Sequence, residues 1–171
     1  MALLDLALNM PRGKLAMKFD LDRDRPNEAT VLDHFSDGRF YEAEIAEILI
    51  RALQPGDIML DIGANVGVFS VLAAGLVGPA GRVVAFEPED ENRARMATNL
   101  ALNEVNNVTV VAAPVSDRIE DVSSHVCTDN AGGHALWDPG QFEPNQRSRA
   151  TPRSFIPSGA DPFFMGQRRS V

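Results

Sequence analysis

The apolar run Ile58-Met59-Leu60 leads directly into Asp61-Ile62-Gly63-Ala64-Asn65-Val66-Gly67, an acid followed by two glycines four positions apart. A strand ending this way delivers a carboxylate to the carboxyl edge of a sheet, and its glycines let a ligand approach the backbone with no Cβ in between. A second acid, Glu87, closes the next apolar run, Val83-Val84-Ala85-Phe86, 26 residues after Asp61. A carboxylate there can accept hydrogen bonds from both hydroxyls of a ribose. Two such strand ends side by side make a crevice for a nucleotide-like ligand. Each residue also has a plainer reading: a loop-capping carboxylate for Asp61, a left-handed turn residue for Asn65, and a helix-start acid for Glu87 beside Glu89, Asp90 and Glu91.

The spacing narrows the ligand. The dinucleotide fingerprint G-x-G-x-x-G wants glycine at 65 and 68, where Asn65 and Val68 stand, and no lysine followed by Ser or Thr provides a phosphate cradle. An acid ahead of the glycines repels a pyrophosphate but suits a ligand bearing an ammonium and a sulfonium. S-adenosylmethionine is such a ligand. Displacement of a methyl group from a sulfonium demands alignment, plus a base to take the proton of an acceptor hydroxyl, and no metal. His134, in Gly132-Gly133-His134-Ala135-Leu136-Trp137, is the first candidate base and His125 the second, because imidazole titrates near neutrality. A hydrogen-bonded loop or strand-face histidine is the plainer reading of each.

The elements that must position these groups follow from pattern. Phe40–Leu53 predicts a helix with Ile45, Ile48, Leu49 and Ala52 on its inward face and Glu42, Glu44 and Glu47 near its start, ended by Pro55-Gly56. Ile58–Ile62 is a buried strand. A helix opening at Val66 or Gly67 carries Phe69, Leu72, Ala73 and Leu76 inward, and Gly78-Pro79-Ala80-Gly81 stops it. Arg82–Phe86 is the second strand. A further helix from Pro88 to about Asn103 turns Ala94, Ala97, Leu100 and Ala101 inward, and Asn107–Ala113 is the third strand. Strands with continuous apolar runs alternating with helices predict an α/β fold whose parallel sheet is covered on both faces. Residues 10–39, rich in charge and turn formers, predict an approach segment with one short strand near Leu15–Phe19. Beyond Asp117 the pattern weakens. Asp121–Cys127 is a candidate strand, whereas residues 138–171 hold prolines at 139, 144, 152, 157 and 162 and supply no central strand.

Composition excludes several classes. With 44% hydrophobic and 23% charged residues and a net charge of −8, the chain is an ordinary acidic globular protein that repels polyanions, so no nucleic-acid partner is expected. The charge is uneven: residues 1–121 carry 11 basic and 20 acidic residues, residues 122–171 carry 5 and 4. Cys127 is alone, which rules out an intrachain disulfide and fits a reducing, cytoplasmic compartment. Asp5 interrupts the apolar start, no cleavage site frames it, and no run approaches the roughly 20 residues of a membrane span, so neither signal peptide nor membrane contact is expected.

Leu60-Asp61-Ile62-Gly63-Ala64-Asn65-Val66-Gly67-Val68-Phe69-Ser70, then Gly81-Arg82-Val83-Val84-Ala85-Phe86-Glu87-Pro88, Asn99-Leu100-Ala101-Leu102-Asn103 and Val115-Ser116-Asp117, together resemble FkbM-type methyltransferases over about residues 40–138. Asp129–Pro139 looks like a subgroup signature. The resemblance implies a Rossmann-like class I fold, S-adenosylmethionine as cofactor, and O-methylation of a small metabolite or glycan hydroxyl. It places Asp61, Gly63, Asn65 and Gly67 at the amino-acid end of the cofactor, Glu87 at the ribose, and Ser116 and Asp117 at the adenine edge. Three divisions result: an amino-terminal approach segment at 1–39, a partial cofactor-binding domain at 40–138 and an irregular tail at 139–171.

Members of that family continue into a fourth strand with an Ile-Lys-Ile-Asp-x-Glu-Gly-like run, which this chain lacks. The chain therefore reads as an amino-terminal half with a foreign tail, a truncated or frame-shifted product. A catalytically inactive remnant that binds cofactor or a partner is the alternative function. The missing strands would pair with the first one, leaving its edge open.

Overall fold

The computed structural model describes residues 1–116 and the short strands at 122–125, 147–150 and 153–154. Residues 10–39 differ from the single short strand expected of them. Strand β1 (Ala2–Met10) and strand β2 (Gly13–Leu21) form an antiparallel hairpin about Pro11-Arg12, with Met10 opposite Gly13. Both strands alternate. Leu4, Leu6 and Leu8 face inward with Leu15, Met17, Phe19 and Leu21, the last three fully buried, while Lys14 and Lys18 stay in water. This is the period-2 pattern of a strand with one wet face. Helix α1 (Pro26–Ser36) begins on a proline, which needs no N–H partner there, and buries Val31, Leu32 and Phe35 beside Phe19.

Helix α2 (Ala43–Ala52) is turned differently from its apolar stripe. Ala46 is the buried residue, Leu49 is half-buried, and Ile45 and Ile48 are 44% and 59% exposed. Among the described elements its main neighbour is helix α3 (Val68–Val77), and the stripe is buried along one margin. Between these helices lies strand β3 (Ile58–Ile62). After α3 come strand β4 (Arg82–Phe86), helix α4 (Asp90–Leu102) and strand β5 (Val108–Val111), three residues shorter than the run Asn107–Ala113.

The three strands form a parallel sheet in the order β3-β4-β5, with Asp61 beside Ala85 and Phe86 beside Val111. Among the described residues β3 is an edge strand, and Ile58 and Ile62 are 65% and 61% exposed. Helix α3 is the apolar centre of the molecule, burying Val68, Val71, Leu72, Ala73, Ala74 and Val77, with Phe69 and Leu76 only half-buried.

Helix α4 departs from its predicted face. Ala94, Ala97 and Ala101 are exposed, and the buried positions are Asn92, Met96 and Asn99. Asparagine occupies the inner face because it satisfies backbone groups of other elements. Asn99 Nδ2 donates to Val66 O at 2.9 Å while its Oδ1 accepts from Asp20 N at 2.9 Å, and Asn103 bonds both the N–H and the carbonyl of Lys18. Next to them Arg95 donates to both carboxylate oxygens of Glu28, a side chain 1% exposed, and to Asp20. The hairpin and α1 are thus joined to α4 by polar contacts, buried at Glu28 and Asn99 and open at Asn103, and among the described residues no buried side-chain nitrogen or oxygen lacks a partner.

Strand β6 (Val115–Ser116) pairs with β9 (Arg153–Ser154), and β7 (Val122–His125) pairs with β8 (Arg147–Ala150). The tail expected to be irregular therefore contains short strands, all outside the central sheet. No helix among the described residues is long and apolar enough to cross a membrane.

Candidate functional site

Asp61, next to last in β3, reaches the carboxyl edge with its side chain turned into the protein, 8% exposed. Ser70, one turn into α3, donates its hydroxyl to Asp61 Oδ2 at 2.5 Å. Burial raises the Asp61 carboxyl above its ordinary range; the Ser70 hydrogen bond opposes this, and the negative charge of Glu87 adds to it.

The turn after Asp61 is built on three left-handed residues, Gly63 (φ 78°), Asn65 (φ 52°) and Gly67 (φ 85°). The N–H groups of Gly63 and Ala64 both donate to the carbonyl of Phe86, at 2.9 and 3.0 Å, which fastens the turn to the end of β4. Gly67 is required twice over, by its φ and because a Cβ there would stand 2.7 Å from Met96 Cγ. Gly63 differs: no atom lies within 4 Å of where its Cβ would be. That space is open to a ligand.

Asn65 is the junction of the site. Its backbone N–H donates to Glu87 Oε2 at 2.8 Å, and its side-chain oxygen accepts from Asn27 Nδ2 of α1 at 2.8 Å. Glu87, 4% exposed, uses its other oxygen to accept from the Glu89 N–H at 2.9 Å and from Asn92 Nδ2 at 3.3 Å. Glu87, rather than the acids after it, therefore holds the start of α4, and it ties that start to the Asn65 turn.

In front of the turn lies a cleft of about 440 Å³, walled on one side by Asp61, Gly63 and Asn65 and on the other by α1, α2 and the residues between them, including Asn27, Tyr41 and Glu42. The volume suits a small-molecule ligand. Glu42 stands at φ 45° as the residue before α2. Burial, and after it the adjacent Glu42 carboxylate, push the Tyr41 hydroxyl above its ordinary range.

The structure brings Asp61, Gly63 and Asn65 together on this cleft, puts buried Gly67 behind it, and sets Glu87 against the far side of Asn65. Ser116 lies in β6 and His125 in β7 by backbone alone; Asp117 and His134 lie outside the described residues. Among the described residues no group of three His, Cys, Asp or Glu is placed to hold a metal. Sequence reasoning missed Ser70, Asn27, Tyr41 and Glu42. Ser70 left a signal, being the single hydroxyl in the apolar helix Val68-Phe69-Ser70-Val71-Leu72-Ala73-Ala74-Gly75-Leu76-Val77. The others precede the strand by 16 residues or more and left none.

A family model described as the methyltransferase FkbM domain matches residues 61–156, more than half of the chain. The match begins at the site's carboxylate and runs past Asp138, where the sequence resemblance ended. A 23S rRNA (uracil(1939)-C(5))-methyltransferase, RlmD of Acinetobacter baylyi, is 35% identical over 94 residues, 53% of this chain and 20% of RlmD. The AMB antimetabolite synthetase AmbE of Pseudomonas aeruginosa is 48% identical over 64 residues, 36% of this chain and 3% of AmbE. The chain thus spans a fifth or less of these relatives. Among solved structures, an S-adenosylmethionine-dependent methyltransferase from Aquifex aeolicus superposes with a TM-score of 0.43 at 16% identity, covering 63% of this chain and 54% of that one.

Proposed function

Because the chain belongs to the FkbM methyltransferase family, we propose that it is an S-adenosylmethionine-dependent enzyme that methylates a hydroxyl oxygen of a small metabolite or glycan. The observation that carries this reading is the pairing of a buried, Ser70-oriented Asp61 with the open Gly63 turn on one cleft. The fit to the cofactor is chemical. A carboxylate meets an ammonium, a glycine with free space in front of it admits a chain running along the backbone, and Glu87, which already accepts from Asn65, Glu89 and Asn92, keeps about one acceptor site for a ribose hydroxyl.

When bound, S-adenosylmethionine supplies an electrophilic methyl group on a sulfonium. The chain's own residues then have three tasks. Asp61, Gly63, Asn65 and Gly67 form the amino-acid end of the site, Glu87 takes the ribose, and Ser116 and Asp117 take the adenine edge. A base, His134 in this reading, would accept the proton of the acceptor hydroxyl as that oxygen is methylated. Alignment supplies most of the rate.

The acceptor class rests on charge. A net charge of −8 and the two cleft carboxylates, Asp61 and Glu42, favour a neutral or cationic acceptor over a polyanion. RlmD, by its name, methylates 23S rRNA, so RNA is the competing class. The lone Cys127 supports a cytoplasmic location. Binding without transfer is the second reading, favoured by the exposed edge of β3 at Ile58 and Ile62. Calorimetry with S-adenosylhomocysteine, followed by transfer of labelled methyl to hydroxylated small molecules, glycans and rRNA transcripts, tests the proposal. Binding with label in the first two classes is the expected result; binding with no label in any class favours the second reading, label confined to RNA overturns the acceptor assignment, and no binding overturns the function.

A further inference from the structure

Outside the glycine turn, the cleft is notable for its aromatic and anionic wall. Tyr41 and Phe69 both line it, half-buried, with ring centroids 6.2 Å apart and planes inclined at 39°. His34 packs edge-on against Tyr41 with centroids 5.6 Å apart, and Phe40 lies 6.3 Å from Phe69, so neither ring is free to swing away. Among the described residues, the charged groups of the lining are Asp61 and Glu42, with no lysine or arginine. A ring face carries a negative quadrupole and attracts a cation within about 6 Å of its centroid. Two aromatic rings between two carboxylates make a pocket selective for positive charge.

On the reading of the site given above, we propose that Tyr41 and Phe69 are specificity-determining residues that recognise the positive charge at the sulfonium of S-adenosylmethionine, and so distinguish the cofactor from its uncharged-sulfur product, S-adenosylhomocysteine. The two molecules share the adenine, the ribose and the amino-acid end. Contacts at Asp61, Gly63, Asn65 and Glu87 therefore treat them alike, and only a group facing the sulfur can prefer one. The raised hydroxyl of Tyr41 stays protonated near neutrality, so its ring acts as a neutral aromatic face like that of Phe69. Loss of the charge on methyl transfer would weaken this contact and favour release of the product.

The ratio of the two affinities tests the inference, because a merely structural role moves both ligands together. With the full chain in a calorimeter, the wild type is expected to bind S-adenosylmethionine about tenfold tighter than S-adenosylhomocysteine. Tyr41→Leu and Phe69→Leu are each expected to bring the ratio to about threefold or less while affinity for S-adenosylhomocysteine changes by less than about twofold. Tyr41→Phe keeps the ring and is expected to keep the ratio. A ratio unchanged in both leucine variants, or lost equally in Tyr41→Phe, overturns the inference and leaves the cofactor reading standing. Binding of neither ligand by the wild type overturns both.

Discussion

At Asp61 two requirements oppose each other: the carboxylate must be ionised to hold a cation, yet its burial resists ionisation. A folded-state pKa raised above 3.8 means that the folded chain holds this proton more tightly than the unfolded chain does. The contribution of Asp61 to stability is therefore fully present below about pH 3.8 and is lost as pH rises through the raised value. Asp61→Asn removes that loss. The variant is expected to gain stability over the wild type at pH 7 in denaturant titrations, with the gain vanishing toward pH 3, while its affinity for S-adenosylmethionine falls about tenfold or more. The glycines offer a sharper contrast. Gly67→Ala meets both a left-handed φ and Met96, and should lower stability by about 2–4 kcal/mol; Gly63→Ala meets the φ alone and should cost about 1–2 kcal/mol. Affinity should respond in the opposite order, strongly for Gly63→Ala, which adds a methyl at a residue lining the cleft, and weakly for folded Gly67→Ala. The chemical types at this turn were legible in order and spacing; the hydroxyl that orients Asp61 was not, because Ser70 becomes its partner only once α3 turns back over β3.

At the scale of elements, helix α4 shows where periodicity misleads. Alanines at 94, 97 and 101 read as an inward face, but alanine is simply the best helix former and tolerates water, whereas Asn92 and Asn99 are buried because they complete hydrogen bonds for other elements. Asn99 keeps Val66 and Asp20 satisfied at full burial. Asn99→Leu should lower unfolding free energy by about 2–3 kcal/mol, since it strands two backbone groups, and should also loosen the cofactor turn that Val66 belongs to. Calorimetric unfolding checks the first effect and S-adenosylhomocysteine affinity the second. Glu28→Gln, which leaves Arg95 with Asp20 as its remaining carboxylate partner, should cost about 3 kcal/mol in the same unfolding experiment. Of the hairpin only a strand near Leu15–Phe19 was expected, because its turn, Pro11-Arg12, has none of the Asn-Gly or Asp-Gly chemistry that announces a hairpin, although Leu4, Leu6 and Leu8 alternate opposite Leu15, Met17, Phe19 and Leu21.

For the whole molecule, the candidate cleft joins two regions that lie far apart in the chain, residues 27–45 and residues 61–69. A ligand bound between them should stabilise the fold as a unit: S-adenosylhomocysteine at 100 times its dissociation constant should add about 2.7 kcal/mol and raise the melting midpoint by roughly 5–10 °C. An unchanged midpoint would mean that the native chain does not bind the ligand. The run from Leu60 to Gly67, with Glu87 closing the next strand, by itself determined the parallel α/β core, the carboxyl-edge turn and the exclusion of dinucleotide and phosphate-loop alternatives. Those features are local, because a strand's apolar run, its terminal acid and the glycines after it are consecutive residues. Only the tertiary structure decided that Ser70 orients Asp61, that Glu87 ties the Asn65 turn to α4, and that Asn27, Tyr41 and Glu42 wall the cleft. Each of these depends on two segments meeting in space, and the backbone geometry that brings them together is set by burial of the hairpin, α1 and α3 around Phe19 and Leu72, which no spacing along the chain records.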